Sequence, residues 1–161
     1  MELCRVITVS DRAARGARGP LRTSSGRRSS GCWGYETSLL VVPDDGDVSV
    51  RAALNEALAV GSRLIVTTGG TGVGPRDRTP AGTRQVTDRQ LGVELLRGDV
   101  RWQSIHAALG RGVVGDIDAS ASSPGALINK LPGGAKAAQE GIAVTLLLIP
   151  QAIDRLAGGD H

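Results

Sequence analysis

The chain has 161 residues, 40% of them hydrophobic, a formal net charge of +3, and only two Trp, one Tyr and no Phe as aromatics. A chain of this size buries one sizeable core, which must be built from Val, Leu, Ile and Ala. Two isolated cysteines, Cys4 and Cys32, exclude a disulfide framework or a cysteine metal cluster, and no apolar run approaches the ~20 residues of a membrane span.

The charge is unevenly placed. Six arginines and no acid lie between Arg12 and Tyr35, so the rest of the chain is net acidic. A basic stretch is one mark of nucleic-acid binding. No aromatic residue interleaves Arg12–Arg28, however, and the composition reads as a solvated loop. Cys4 lies in an apolar run and reads as a small core residue. His106 and His161 have no ligand-like neighbours in sequence and are not expected to hold a metal. The first residues lack the layout of a secretion signal, and a cytoplasmic location is expected.

In chain order, LCRVITVS (Leu3–Ser10) is a β-branched run with polar residues at its end, the pattern of a buried parallel strand. TSLLVVP (Thr37–Pro43) repeats that pattern. The period then changes: Val50, Leu54, Ala57 and Leu58 share one helical face, with Asp47 placed to cap the start and Gly61 to close the end. RLIVTT (Arg63–Thr68) is a third strand. After a glycine loop, Thr79 and Pro80 open a further helix, as N-cap and first helical residue. ALINKL (Ala126–Leu131) is a late strand. Ile142, Leu146, Ile149 and Ile153 keep helical spacing through the last segment, which Pro150 should kink or divide. Strands alternating with helices predict one domain over residues 1–161, an α/β three-layer sandwich around a mostly parallel sheet. In such folds ligands bind beyond the carboxyl ends of the strands. The turns SDR, PDDGD, GGTGVGPRD and LPGG follow four of the strands and should converge on one edge.

The glycine loop carries the chemistry. Gly69, Gly70, Gly72 and Gly74 free the backbone to take positive φ and to approach a ligand, and successive amides can form an anion-binding concavity. Arg76 and Arg78 add positive charge. The loop has neither the Gly-Lys-Ser/Thr of a P-loop nor the dinucleotide fingerprint, and a purely structural turn remains an alternative. Carboxylates beside a phosphate cradle are counterproductive unless a metal ion uses them. Asp77 in the loop and Asp44 at a neighbouring strand end could together hold Mg2+ against phosphate oxygens, which points to phosphoryl or nucleotidyl transfer. Taken singly, Asp44, Asp45 and Asp47 read as turn and cap residues.

VTVSDRAARG, VVPDD, TTGGTGVGPRDRTP, AALGRGVVG and LPGGAKAA occur in the order found in the molybdopterin adenylyltransferase family, the MogA/MoaB type, and the chain resembles that family outside about residues 17–35. The resemblance implies a MogA/MoaB-like molybdopterin-binding fold and the adenylylation of molybdopterin by ATP with Mg2+, releasing pyrophosphate. It assigns the catalytic, metal-holding pair to Asp44 and Asp77. It assigns substrate binding to Ser10, Asp11, Gly69, Gly70, Thr71, Gly72, Arg76, Thr79, Leu131, Pro132 and Gly133. It also implies a homotrimer or hexamer and a molybdenum-insertion enzyme as partner.

The chain departs from the family at Ala81, where Glu is usual, at Gly110, where Ser is usual, and at Gly134 in the LPGGAK turn, where Ser or Asn is usual. These departures keep a second reading open, a molybdopterin-binding or scaffold protein with little catalysis. A nucleic-acid-binding protein is the weakest of the three, for want of aromatic residues to stack on bases. Where the family has an acidic turn and an amphipathic helix, this chain has an Arg-, Ser- and Gly-rich stretch. Codons exist for Leu21–Trp33 whose shifted frame spells Glu-Asp-Leu-Ile-Gly-Pro-Ala-Val-Val-Gly-Leu-Leu, restoring both features. The stretch is a divergent loop or a segment read out of frame, and the bases of the gene decide between them.

Overall fold

The structure is a computed structural model, and it describes residues 3–15, 36–43, 46–71, 74–75, 77–91, 114–119, 125–134, 138, 141 and 149–158. The four apolar runs become strands: β1 (Leu3–Val9), β2 (Glu36–Val42), β3 (Ser62–Thr68) and β6 (Ala126–Leu131). Two short strands, β4 (Arg89–Leu91) and β5 (Val114–Ile117), complete a sheet of order β2-β1-β3-β6-β5-β4. Strands β2, β1, β3 and β6 are mutually parallel, while β5 runs antiparallel to both β6 and β4. The sheet is mostly parallel, as expected.

Strand alternation sends the apolar side chains to two faces. On one, Ile7, Val9, Val42, Ile65 and Ile128 pack with Val50, Ala53, Leu54 and Ala57 of helix α2 (Val48–Ala59). On the other, Cys4, Leu64, Val66, Leu127 and Leu131 pack with Ile149 and Ile153 of helix α4 (Ile149–Leu156). Strands covered on both faces read as near-continuous apolar runs, and the result is three layers. No helix among the described residues is long and apolar enough to cross a membrane.

Helix ends partly follow the sequence reading. Gly61, at φ 78°, closes α2 just past Val60. Asp47 occupies the N-cap of α2, but its side chain makes no cap hydrogen bond. Its carboxylate instead accepts from Gln85 Nε2 at 3.1 Å, and Arg51 donates to Gln85 Oε1 at 2.7 Å. That pair of bonds ties α2 to the end of α3 (Thr79–Arg84). Arg78, not Thr79, is the N-cap of α3, because Thr79 is drawn under the glycine loop and fully buried. Pro150 is the second residue of α4 as described, a position where its missing N–H is tolerated, and the residues before Ile149, on which the expected division bears, lie outside the described residues. Ile142 and Leu146 lie outside the described residues.

The middle of β3 carries the core, with Leu64 and Ile65 fully buried on opposite faces. Ile65→Ala should lower unfolding free energy by about 2–5 kcal/mol. Val60→Ala, at a side chain 51% exposed, should change it by less than about 0.5 kcal/mol. Denaturant unfolding of the two variants measures the contrast.

Candidate active site

The parallel strands end on one edge, and β1 lies between β2 and β3, so the chain turns opposite ways from it. That reversal opens a crevice beyond the strand tips. Ser10 donates its backbone N–H to Val42 O at 3.0 Å, which joins the ends of β1 and β2. The side chain of Ser10 also caps α1 (Asp11–Ala14), accepting from Ala13 N at 3.3 Å. Its hydroxyl proton stays available to a ligand.

At the next tip the loop after β3 is pressed against its neighbours. Gly69 has φ 94°, and a Cβ there would stand 2.2 Å from the Val9 carbonyl oxygen. Gly70 has φ 58°, and a Cβ there would stand 2.1 Å from Thr79 Oγ1. On the far side, Thr68 Oγ1 donates to Pro132 O at 2.8 Å, and a Cβ on Gly133 would reach to 3.1 Å from Gly69 Cα. Leu131, Pro132 and Gly133 therefore sit beside Gly69. The Leu131 side chain points into the core on the α4 face, so Leu131 serves the edge through its backbone. Thr71 and Thr79 are buried, and Thr79 supports the loop from beneath.

Further along the loop, the turn from Gly74 to Asp77 is closed twice. Asp77 N donates to Gly74 O at 3.1 Å, and Asp77 Oδ2 accepts from Gly74 N at 2.9 Å. The second bond fixes where the carboxylate stands. A cavity of about 430 Å3 opens here, lined by Val9, Ser10, Asp11, Arg12, Gly74, Pro75 and Asp77. Two of the expected site carboxylates, Asp11 and Asp77, thus share one cavity with Ser10. Asp11 also meets Arg15 at 3.7 Å. Asp44, Gly72 and Arg76 lie outside the described residues. Chain order puts Asp44 two residues beyond Val42, whose carbonyl holds Ser10.

Two residues at this edge escaped the sequence reading. Arg12 lines the cavity; the SDR turn is expected at this edge, but sequence reading assigns Arg12 no role there and counts it only as the start of the basic stretch. Lys130 is fully buried near the end of β6, its Cα paired with that of Thr67. Nothing in the run ALINKL distinguishes a buried lysine from one that marks a strand end.

The sequence matches the family described as "Probable molybdopterin binding domain" over residues 5–152. A molybdenum cofactor biosynthesis bifunctional protein of Synechococcus elongatus is 35% identical over 120 residues, 73% of this chain and 35% of the relative. A molybdopterin adenylyltransferase of Pyrococcus furiosus is 39% identical over 90 residues, 53% of this chain and 50% of the relative. The chain therefore spans half or less of these curated relatives. The crystal structure of the molybdopterin biosynthesis enzyme MoaB from Thermus thermophilus aligns over 98% of both chains, with TM-score 0.80 and 33% identity.

The tight approach at Gly69 gives an ordered test. Gly46, at φ 107° with open space around it, should cost about 1–3 kcal/mol of backbone strain on replacement by alanine. Gly69→Ala should cost more, because its Cβ meets backbone and not the end of a flexible side chain. Denaturation midpoints rank the two variants.

Proposed function

The chain belongs to the family of probable molybdopterin binding domains, and on that premise we propose that it is a Mg2+-dependent molybdopterin adenylyltransferase of molybdenum-cofactor biosynthesis. It would join AMP from ATP to molybdopterin and release pyrophosphate. The observation that carries the reading is the meeting of Asp77, Asp11 and Ser10 around one cavity, at the edge where the glycine loop emerges.

The donor chemistry fits Mg2+, which is held by one or two carboxylates and completes its shell with water and phosphate oxygens. Two carboxylates reach the cavity, and among the described residues no group of three or more acids, His or Cys gathers for a metal. Asp77, with Asp44 from the turn after β2, would hold the ion, which supplies charge neutralisation at the phosphates. The chain supplies the positioning. The backbone amides of the loop from Gly69 to Gly72 receive phosphate oxygens. The turn bond from Gly74 N keeps Asp77 from following the substrate. Ser10 offers its hydroxyl proton. A pterin phosphate oxygen aligned behind the α-phosphorus forms the new P–O bond as the bond to the departing pyrophosphate breaks. A homotrimer or hexamer, a cytoplasmic location and hand-over of the product to a molybdenum-insertion enzyme belong to the same proposal.

Incubation with molybdopterin, ATP and Mg2+ should yield AMP-linked pterin and pyrophosphate, both lost on chelation. Pterin binding without product would support the scaffold reading instead. Asp77→Asn keeps an oxygen to accept from Gly74 N but removes the charge. It should leave the melting temperature nearly unchanged while turnover falls by about 100-fold or more. Full turnover in that variant would sink the assignment of Asp77.

A further inference from the structure

We propose that Arg12 is a phosphate-binding residue of this cavity, gripping two phosphate oxygens of a substrate with its guanidinium. The inference rests on the adenylyltransferase reading and adds a recognition element that the resemblance does not assign.

Three ionisable side chains line the cavity among the described residues: Asp11, Arg12 and Asp77. The two acids have work inside the fold. Asp11 meets Arg15 one helical turn away at 3.7 Å, and Asp77 Oδ2 accepts from Gly74 N at 2.9 Å. Arg12 has none: no hydrogen bond or ion pair engages it among the described residues, and its side chain is exposed. Other arginines of the described fold are committed. Arg5 faces Glu56, Arg15 faces Asp11, Arg51 donates to Gln85, Arg63 to Ile153 O, Arg78 to Pro75 O, and Arg89 to Asp116. Arg84 and Arg155, the remaining uncommitted ones, line no part of this cavity.

An unpaired guanidinium beside two occupied carboxylates answers a need of the chemistry. A polyanion entering a cavity with two acids is repelled unless cations balance them, and Mg2+ neutralises only the oxygens it touches. Guanidinium is always charged and offers parallel N–H donors that match two phosphate oxygens. α1 begins at the very tip of β1, so a rigid strand end carries the residue to the cavity wall.

Both substrates bring phosphate oxygens, ATP as a polyphosphate and molybdopterin as a monoester, so two arms of one experiment separate them. Wild type, Arg12→Gln and Arg12→Lys are titrated with pyrophosphate in Mg2+, and separately with molybdopterin, by calorimetry at two salt concentrations. Arg12→Gln should weaken one of the two by about tenfold or more, with a shallower salt dependence. Arg12→Lys should recover only part of the loss, since an ammonium keeps the charge without the fork. A loss confined to pyrophosphate assigns Arg12 to the ATP side, and a loss confined to molybdopterin assigns it to the pterin phosphate. Equal affinities of wild type and Arg12→Gln for both ligands overturn the role of Arg12 and leave the adenylyltransferase reading standing. If the wild type binds neither ligand, both fall together.

Discussion

Backbone pressing on backbone at Gly69 is the constraint from which the edge of this molecule takes its form. β3 lies between β1 and β6, and its exit residue is squeezed from both sides, by the Val9 carbonyl and by Gly133. No side chain fits between the three strand ends, and the Thr68–Pro132 hydrogen bond fixes the separation that remains. At Gly69 and Gly70 the loop can therefore offer only backbone to whatever binds there. Charged residues line the cavity beside Val9, reaching it from α1 on one side and the Asp77 turn on the other. A site made largely of backbone also tolerates side-chain drift. The departure at Gly134, exposed at the rim, removes a polar group without disturbing the contact at Gly69.

A gradient along the strands expresses the same division of labour. Ile7, Leu64, Ile65 and Ile128 fill the middle of the sheet, whereas Thr8, Thr67, Thr68, Thr71, Asn129 and Lys130 are buried at its carboxyl end. An apolar core alone would not choose this distribution. The hydroxyls of Thr67 and Thr79 are buried without hydrogen-bond partners, and each such group costs about 1–3 kcal/mol. Ser62, Thr37 and Ser38, near the opposite ends of β3 and β2, also bury hydroxyls without partners, so such groups are not confined to the tips. The fully buried lysine at the carboxyl end is a different case, since burial of an ammonium is tolerated only where it is engaged, and Lys130 is not without a partner.

What could be read in advance follows from which forces are local. β1, β2, β3 and β6 were legible because burial on both faces writes a continuous apolar run, and Gly61 because a left-handed C′ residue requires it. β4 and β5 were not: Arg-Gln-Leu and Val-Gly-Asp-Ile carry no pattern, and their pairing is set by β6 and by the Arg89–Asp116 contact across 27 residues. Asp47 kept its N-cap position but not a side-chain cap bond, and Thr79 lost the N-cap, for a tertiary reason: Gln85 claimed one side chain and the glycine loop buried the other. The meeting of Ser10, Asp11 and Asp77 was legible from strand ends and loop chemistry together. Arg12 was legible only as part of the SDR turn and not as a cavity residue, because in sequence it is the first of six arginines.

The opposite edge of the sheet shows why a larger opening is not the better site. A cavity of about 730 Å3 lies there, lined by Arg89, Asp116, Asp118, Leu127, Arg155 and neighbours. β5 runs against its neighbours and delivers its acids to this edge. Those acids are consumed structurally. Arg89 donates twice to Asp116 Oδ2 and once to Asp118, while Asp118 N donates to Asp88 Oδ2 at 2.9 Å. The hydrogen bond to Asp116 and the surrounding carboxylates raise the Arg89 guanidinium further above its already high value, so this cation stays charged. The second oxygen of Asp116 is sealed from solvent, and Arg155 stands in the last turn of α4, where it complements the negative end of the helix. On that edge Arg89, Asp116 and Asp118 answer one another, and among the described residues Arg155 stands alone beside acids already engaged. At the strand tips, Arg12 has no such partner among the described residues, and it is this imbalance, more than volume, on which the proposed anion site rests.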